Sequence, residues 1–107
     1  ARTPVPPVLA APGSLEGVVM RVDRFGNLVT NIEASLLAGL GTDVVVSTAG
    51  VDLVGLVGTY AEASPGGLCA MVGSSGRVEI AVNGGSAAAA LEGARGLAVQ
   101  VRARKGA

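Results

Sequence analysis

Histidine and tryptophan are absent from these 107 residues, and cysteine, tyrosine and phenylalanine occur once each. Without histidine, the usual zinc and copper ligand sets and the commonest general base are missing. A single cysteine, Cys69, can close no intrachain disulfide and build no thiolate cluster. Between Leu68 and Ala70 it reads as a small buried hydrophobe. Net charge is lacking too: eight Lys and Arg balance eight Asp and Glu. No field therefore exists to hold nucleic-acid phosphates or an anionic membrane surface. The basic cluster Arg102, Arg104 and Lys105 is too short to change that. No apolar run is long enough to span a membrane, and no basic-then-apolar leader reads as a signal peptide. The default address is cytoplasmic.

What the chain does have is small apolar residues. Half of it is hydrophobic, but aromatics make up only 2%. Ala and Val supply most of the rest, and such side chains suit a narrow barrel or tight sandwich better than a helical bundle. Four of the five prolines fall in residues 1–16, ARTPVPPVLAAPGSLE. Pro4, Pro6, Pro7 and Pro12 predict an extended linker there. A linker at the start of a chain joins nothing, which points to a domain upstream. Residues 17–107 form the body.

In that body Val18, Met20 and Val22 alternate with Val19, Arg21 and Asp23, the period of a half-buried strand. Gly26-Asn27 makes a corner and Leu28 to Ile32 returns. Ala34 to Leu40 reads as a short helical turn stopped by Gly41. Asp43 to Ser47 and Val51 to Thr59 flank a Thr48-Ala49-Gly50 turn. Leu68 to Val72, Arg77 to Val82 and Ala98 to Arg104 complete about seven strands. Ser86 to Leu91 is a short helix with Ser86 as its N-cap. The expected fold is all-β: a small closed or nearly closed antiparallel, Greek-key barrel with one or two short helices.

Three loops could carry chemistry. DRFGN places Phe25 at a turn, where it can bury little, beside the amide of Asn27 and the carboxylate of Asp23. This is either an ordinary hairpin corner or a site for a flat heteroaromatic ring joined to a cation. Tyr60, in GTYAEASPGG, also lies at a strand's end, so both aromatics avoid the core. In MVGSSGRVEIAVNGGSAA, Ser74-Ser75-Gly76 is a donor-rich turn able to nest an anion. Asn83-Gly84-Gly85-Ser86 runs into a helix N-terminus. No GKS or GKT follows, so this is not a phosphate-binding P-loop.

DRFGNLVTNI, then GTY, then GSSGRVEIAVNGGSAA together resemble the C-terminal domain of the S-adenosyl-L-methionine (SAM) hydroxide adenosyltransferases. These are adenosine-forming SAM hydrolases related to the fluorinase and chlorinase. The resemblance covers residues 17 to about 104, and the Pro-rich start is similar to the family's interdomain linker. It implies a homotrimer in which SAM sits between the N-terminal α/β domain of one subunit and the barrel of its neighbour. It further implies that Phe25 and Tyr60 line the adenine slot and that Asn27 bonds the adenine edge, helped by backbone groups near Asn83 and Gly84. Asp23 would meet the methionine ammonium, and Ser74 with Ser75 the carboxylate. SAM is substrate, and no cofactor is implied.

Halogenating relatives carry Arg where this chain has Ser75. The family's water-activating Asp, Arg and His belong to the N-terminal domain, so attack of water at the ribose 5′ carbon cannot be completed by these residues. The chain is expected to be the ligand-binding half of a SAM hydrolase, inactive in isolation. The alternative from another class is a stand-alone β-barrel binding or protein-interaction module without catalysis.

Overall fold

The computed structural model describes residues 7–41, 43–93 and 95–104. They form nine strands: β1 (Leu9–Ala11), β2 (Ser14–Val22), β3 (Leu28–Glu33), β4 (Val44–Thr48), β5 (Val51–Val54), β6 (Leu56–Val57), β7 (Leu68–Val72), β8 (Arg77–Val82) and β9 (Ala98–Ala103). One short α-helix, α1 (Ala87–Leu91), and two 3₁₀ turns at Ala34–Leu40 and Tyr60–Glu62 complete the described elements. No helix among the described residues is long and apolar enough to cross a membrane.

The strands run β5-β4-β9-β2-β3-β8-β7-β6 across one sheet, with β1 paired to β2 off that path. Two bent segments turn this sheet into a barrel. The first half of β2 pairs with β9, from Ser14 to Val18, and the second half pairs with β3. A bulge between Val19 and Arg21 marks the change of partner. Bulges of this kind bend a strand so that it can serve two sheets. The second bend is Gly55, whose φ of 81° is one that other residues rarely adopt. It separates β5, paired with β4, from β6, paired with β7. The two outermost strands of the path are thus one continuous stretch, and the barrel closes through it.

Closure explains two departures from the sequence reading. The predicted single strand from Val51 to Thr59 is two strands, because Gly55 breaks it. The predicted all-antiparallel order also has an exception, since β6 pairs parallel to β7. With β5 and β6 counted as one stretch the ring has seven members, and an odd ring cannot be antiparallel at every joint. The Pro-rich start differs too: Leu9–Ala11 pairs antiparallel with Ser14–Glu16, so a hairpin lies where an extended linker was expected. Residues 1–6 and Lys105 lie outside the described residues.

The core is built from small branched side chains. Val19, Leu28, Ile32, Val44, Val46, Val78, Ile80, Val99 and Val101 are all but sealed from water. On β8 every residue after Arg77 is buried, because that strand is covered on both faces. Cys69 is buried as expected, and burial pushes its thiol pKa up. Polar groups in the core are bonded: Thr30 Oγ1 donates to the Val78 carbonyl at 2.7 Å, and Asn31 Oδ1 accepts from Val18 N–H at 2.8 Å. Asn31 therefore ties β3 to β2 beside the bulge.

Candidate functional site

The DRFGN corner is organised by its aspartate. Asp23 Oδ1 accepts from the N–H of Phe25 at 2.8 Å and of Asn27 at 3.0 Å. The backbone adds Gly26 N–H to the Asp23 carbonyl at 2.9 Å and Asp23 N–H to the Asn27 carbonyl at 3.0 Å. These bonds let the local sequence hold its own turn, as Asp side chains commonly do. Phe25 is left 66% exposed, with the Arg24 guanidinium carbon 5.0 Å from its ring centroid. That cation–π contact steadies a ring that no core packing holds.

Helix α1 clamps the same corner from outside. Its N-cap, Ser86, accepts from Ala89 N–H at 3.1 Å, as its place in the sequence predicts. The next free helix N–H, that of Ala88, donates to the Gly26 carbonyl at 2.9 Å. Gly26 has φ +84°, and a β-carbon there would lie 2.1 Å from Ser86 Oγ. Only glycine permits both the turn and the contact.

Beside this corner lies a hollow of about 340 Å³ lined by Phe25, Asn27, Tyr60, Val82, Gly84 and Gly85. Small-molecule sites run from about 300 to 1,000 Å³, so it suits a purine-sized group. Four candidates from three loops therefore meet in one place: Phe25, Asn27, Tyr60 and Gly84. Tyr60 is 48% exposed, like Phe25 a ring set out of the core. Val82 and Gly85 were missed by sequence reasoning, since a valine ending a strand and a second turn glycine carry no chemical signature. Asp23 stands behind the wall, as the residue that shapes it.

Asn83, Ser74 and Ser75 do not line the hollow. The Asn83 side chain donates to the Ala63 carbonyl at 2.7 Å. Ser74 and Ser75 occupy the turn before β8, whereas Asn83 and Gly84 follow its far end. At roughly 3.3 Å per residue, the strand puts about 20 Å between them. Ser75 Oγ is engaged in its own turn, donating to Glu79 Oε2 at 2.9 Å and accepting from Arg77 N–H at 3.3 Å. Gly73 makes room for that buried glutamate, for a β-carbon there would meet its carboxylate 2.1 Å away. The hydrogen-bonding capacity expected of Ser75 is thus turned inward.

A family model described as the SAM hydroxide adenosyltransferase C-terminal domain matches residues 17–100. The chain belongs to that family. Two curated relatives named (R)-S-adenosyl-L-methionine hydrolase agree with it. The one from Salinispora tropica is 37% identical over 87 residues, which is 81% of this chain and 32% of the relative. The one from Thermus thermophilus is 40% identical over 86 residues, 80% of this chain and 31% of the relative. The chain thus spans about a third of the length of these SAM hydrolases. Among solved structures, an uncharacterized conserved protein from Thermotoga maritima superposes with a TM-score of 0.80 at 26% identity. A conserved hypothetical protein from Thermus thermophilus gives 0.71 at 35% identity. Each match covers 94% of this SAM hydroxide adenosyltransferase domain but only 40% and 39% of the longer chain.

Proposed function

We propose that this barrel supplies the adenine-binding wall of an enzyme that hydrolyses SAM to adenosine and L-methionine. The observation that carries the proposal is the convergence of two otherwise unpacked rings and an amide on one purine-sized hollow. Phe25 and Tyr60 offer π faces to a flat heterocycle. Asn27 offers a donor and an acceptor in one plane, which matches the edge of adenine. Gly84 and Gly85 let the ligand approach main chain directly. Asp23 holds the Phe25 and Asn27 N–H groups of the wall, and we assign the methionine ammonium to it. We assign the methionine carboxylate to Ser74 and the N–H groups of the Ser74-Ser75 turn, since Ser75 Oγ is committed to Glu79.

In this reading the groups that activate water for attack at the ribose 5′ carbon come from an N-terminal domain of a neighbouring subunit in a cytoplasmic homotrimer. The barrel's contribution is orientation: it holds the adenosine end still while the C5′–S bond breaks and methionine leaves as a neutral thioether. A one-walled site buries only part of its ligand, whereas good sites bury about 70–90% of it. Adenosine should therefore bind the 107-residue chain with a dissociation constant of about a millimolar, near −4 kcal/mol. The chain alone should release no adenosine from SAM.

The test is an NMR titration with adenosine. Phe25 and Tyr60 are the sole aromatic residues, so their ring signals stand alone in the spectrum. Both should shift with adenosine, and Asn27→Ala should weaken the fitted affinity about tenfold, which corresponds to a lost hydrogen bond of ~1.4 kcal/mol. Rings that stay still at saturating adenosine would sink the proposal.

A further inference from the structure

The loop of residues 58–67 brings Tyr60 to the hollow, and its described hydrogen bonds to the end of β8 all run through Asn83. The Asn83 Nδ2 group donates to the Ala63 carbonyl at 2.7 Å. Its backbone N–H donates to the Gly67 carbonyl at 3.1 Å, and its carbonyl accepts from Gly66 N–H at 2.8 Å. Ala63 is also held from the other side, since its N–H donates to the Tyr60 carbonyl at 3.0 Å. One residue, Ala63, thus joins the Tyr60 turn to the Asn83 amide. Asn83 in turn sits in sequence between Val82 and Gly84, both of which line the hollow.

We infer that Asn83 is a positioning residue, not a ligand contact: it sets the spacing between the Tyr60 wall and the 82–85 wall, and so the width of the slot. The inference rests on the adenine reading above and adds to it the device that keeps the slot open to a flat ring. The chemistry explains the residue type. The Ala63 carbonyl needs a donor at this reach, and an amide provides one. An aspartate of the same shape is acceptor-only when ionised and faces the carbonyl with like polarity. Tyr60 is half exposed and rests on a short 3₁₀ turn with no buried residue, so little else fixes its ring.

The experiment compares the wild-type chain with Asn83→Asp by NMR, first free and then titrated with adenosine. The Tyr60 ring signals of the free variant should move, while those of Phe25, held by the Asp23 and α1 contacts, should not. Adenosine affinity should fall about tenfold, to the same extent on both rings. Asn83→Ala, neutral and smaller, is measured beside it and serves alone if the aspartate variant does not fold. Tyr60 signals that match wild type in the free variant, or an unchanged dissociation constant, overturn the positioning role. If the wild-type rings ignore adenosine, the adenine reading itself fails. A moved Tyr60 ring would then mark Asn83 as a structural clamp only, which also overturns the inference.

Discussion

Replacing Gly26 by alanine tests whether the DRFGN corner and helix α1 are one mechanical unit. The new β-carbon would sit 2.1 Å from Ser86 Oγ, 2.6 Å from its Cβ and 3.0 Å from its Cα. The last of these is main chain, so a side-chain rotation of Ser86 cannot relieve the clash. Three losses then add. Holding an L-residue at φ +84° costs about 1–2 kcal/mol. Displacing Ser86 removes the cap on Ala89, typically worth ~1 kcal/mol. Parting the two segments also breaks the Ala88 N–H to Gly26 carbonyl bond, worth about 0.5–1.5 kcal/mol. The sum is roughly 3 kcal/mol. At about 4–8 °C per kcal/mol for a domain of this size, the melting temperature should fall by at least roughly 12 °C. Gly50→Ala is the control, because Gly50 has φ +78° but nothing within 4 Å of the added carbon. It should lose only the ~1–2 kcal/mol of backbone strain. Thermal melting by circular dichroism compares the two. Equal melting temperatures would show that α1 does not clamp the corner.

Asn31→Ala should separate stability from binding. It strips the acceptor from the part-buried Val18 N–H beside the bulge, and leaving such a donor unpaired costs about 1 kcal/mol or more. Its melting temperature should drop by at least roughly 4 °C, while Asn27→Ala melts like wild type. The opposite ranking would make DRFGN only a hairpin corner. Asp52 gives a pH test. The Ser47 hydroxyl donates to it at 2.6 Å and, with help from Arg102, holds its pKa below the ordinary 3.8. A carboxylate with a depressed folded value contributes stability above its unfolded pKa and loses it as pH falls through the folded one. The stability gap between wild type and Asp52→Asn should therefore narrow as pH falls through the ordinary 3.8 and on through the lower folded value. A gap that stays constant or widens in acid would refute this.

How much of this was legible beforehand follows from the range of each interaction. The scarcity of aromatics made Phe25 and Tyr60 conspicuous, and their place at strand ends was readable because turns are local. The α1 N-cap and the Gly41 stop were legible for the same reason. Gly55 was not: one glycine in a run of valines and leucines does not announce a change of partner, which depends on β4 and β7 from either side. The hairpin of Leu9–Ala11 was hidden by the prolines around it. The Asn83 bond to the Ala63 carbonyl was not legible, because an amide beside two glycines has the same appearance whether it meets a ligand or main chain. The separation of Ser74 from Gly84 was implicit in the length of β8, a distance that motif spacing does not reveal.

The position of β9 bears on how the barrel is made. It is the last of the described strands in sequence, yet it lies between β4 and β2, and its Val101 is opposite both Val46 and Leu15. Until residues 98–103 leave the ribosome, β4 and the first half of β2 each keep one edge without its strand partner. Insertion of β9 between Val46 and Leu15 then closes the ring. Truncation just before Ala98 would thus open the ring at its seam, leaving bare edges on β4 and on the first half of β2.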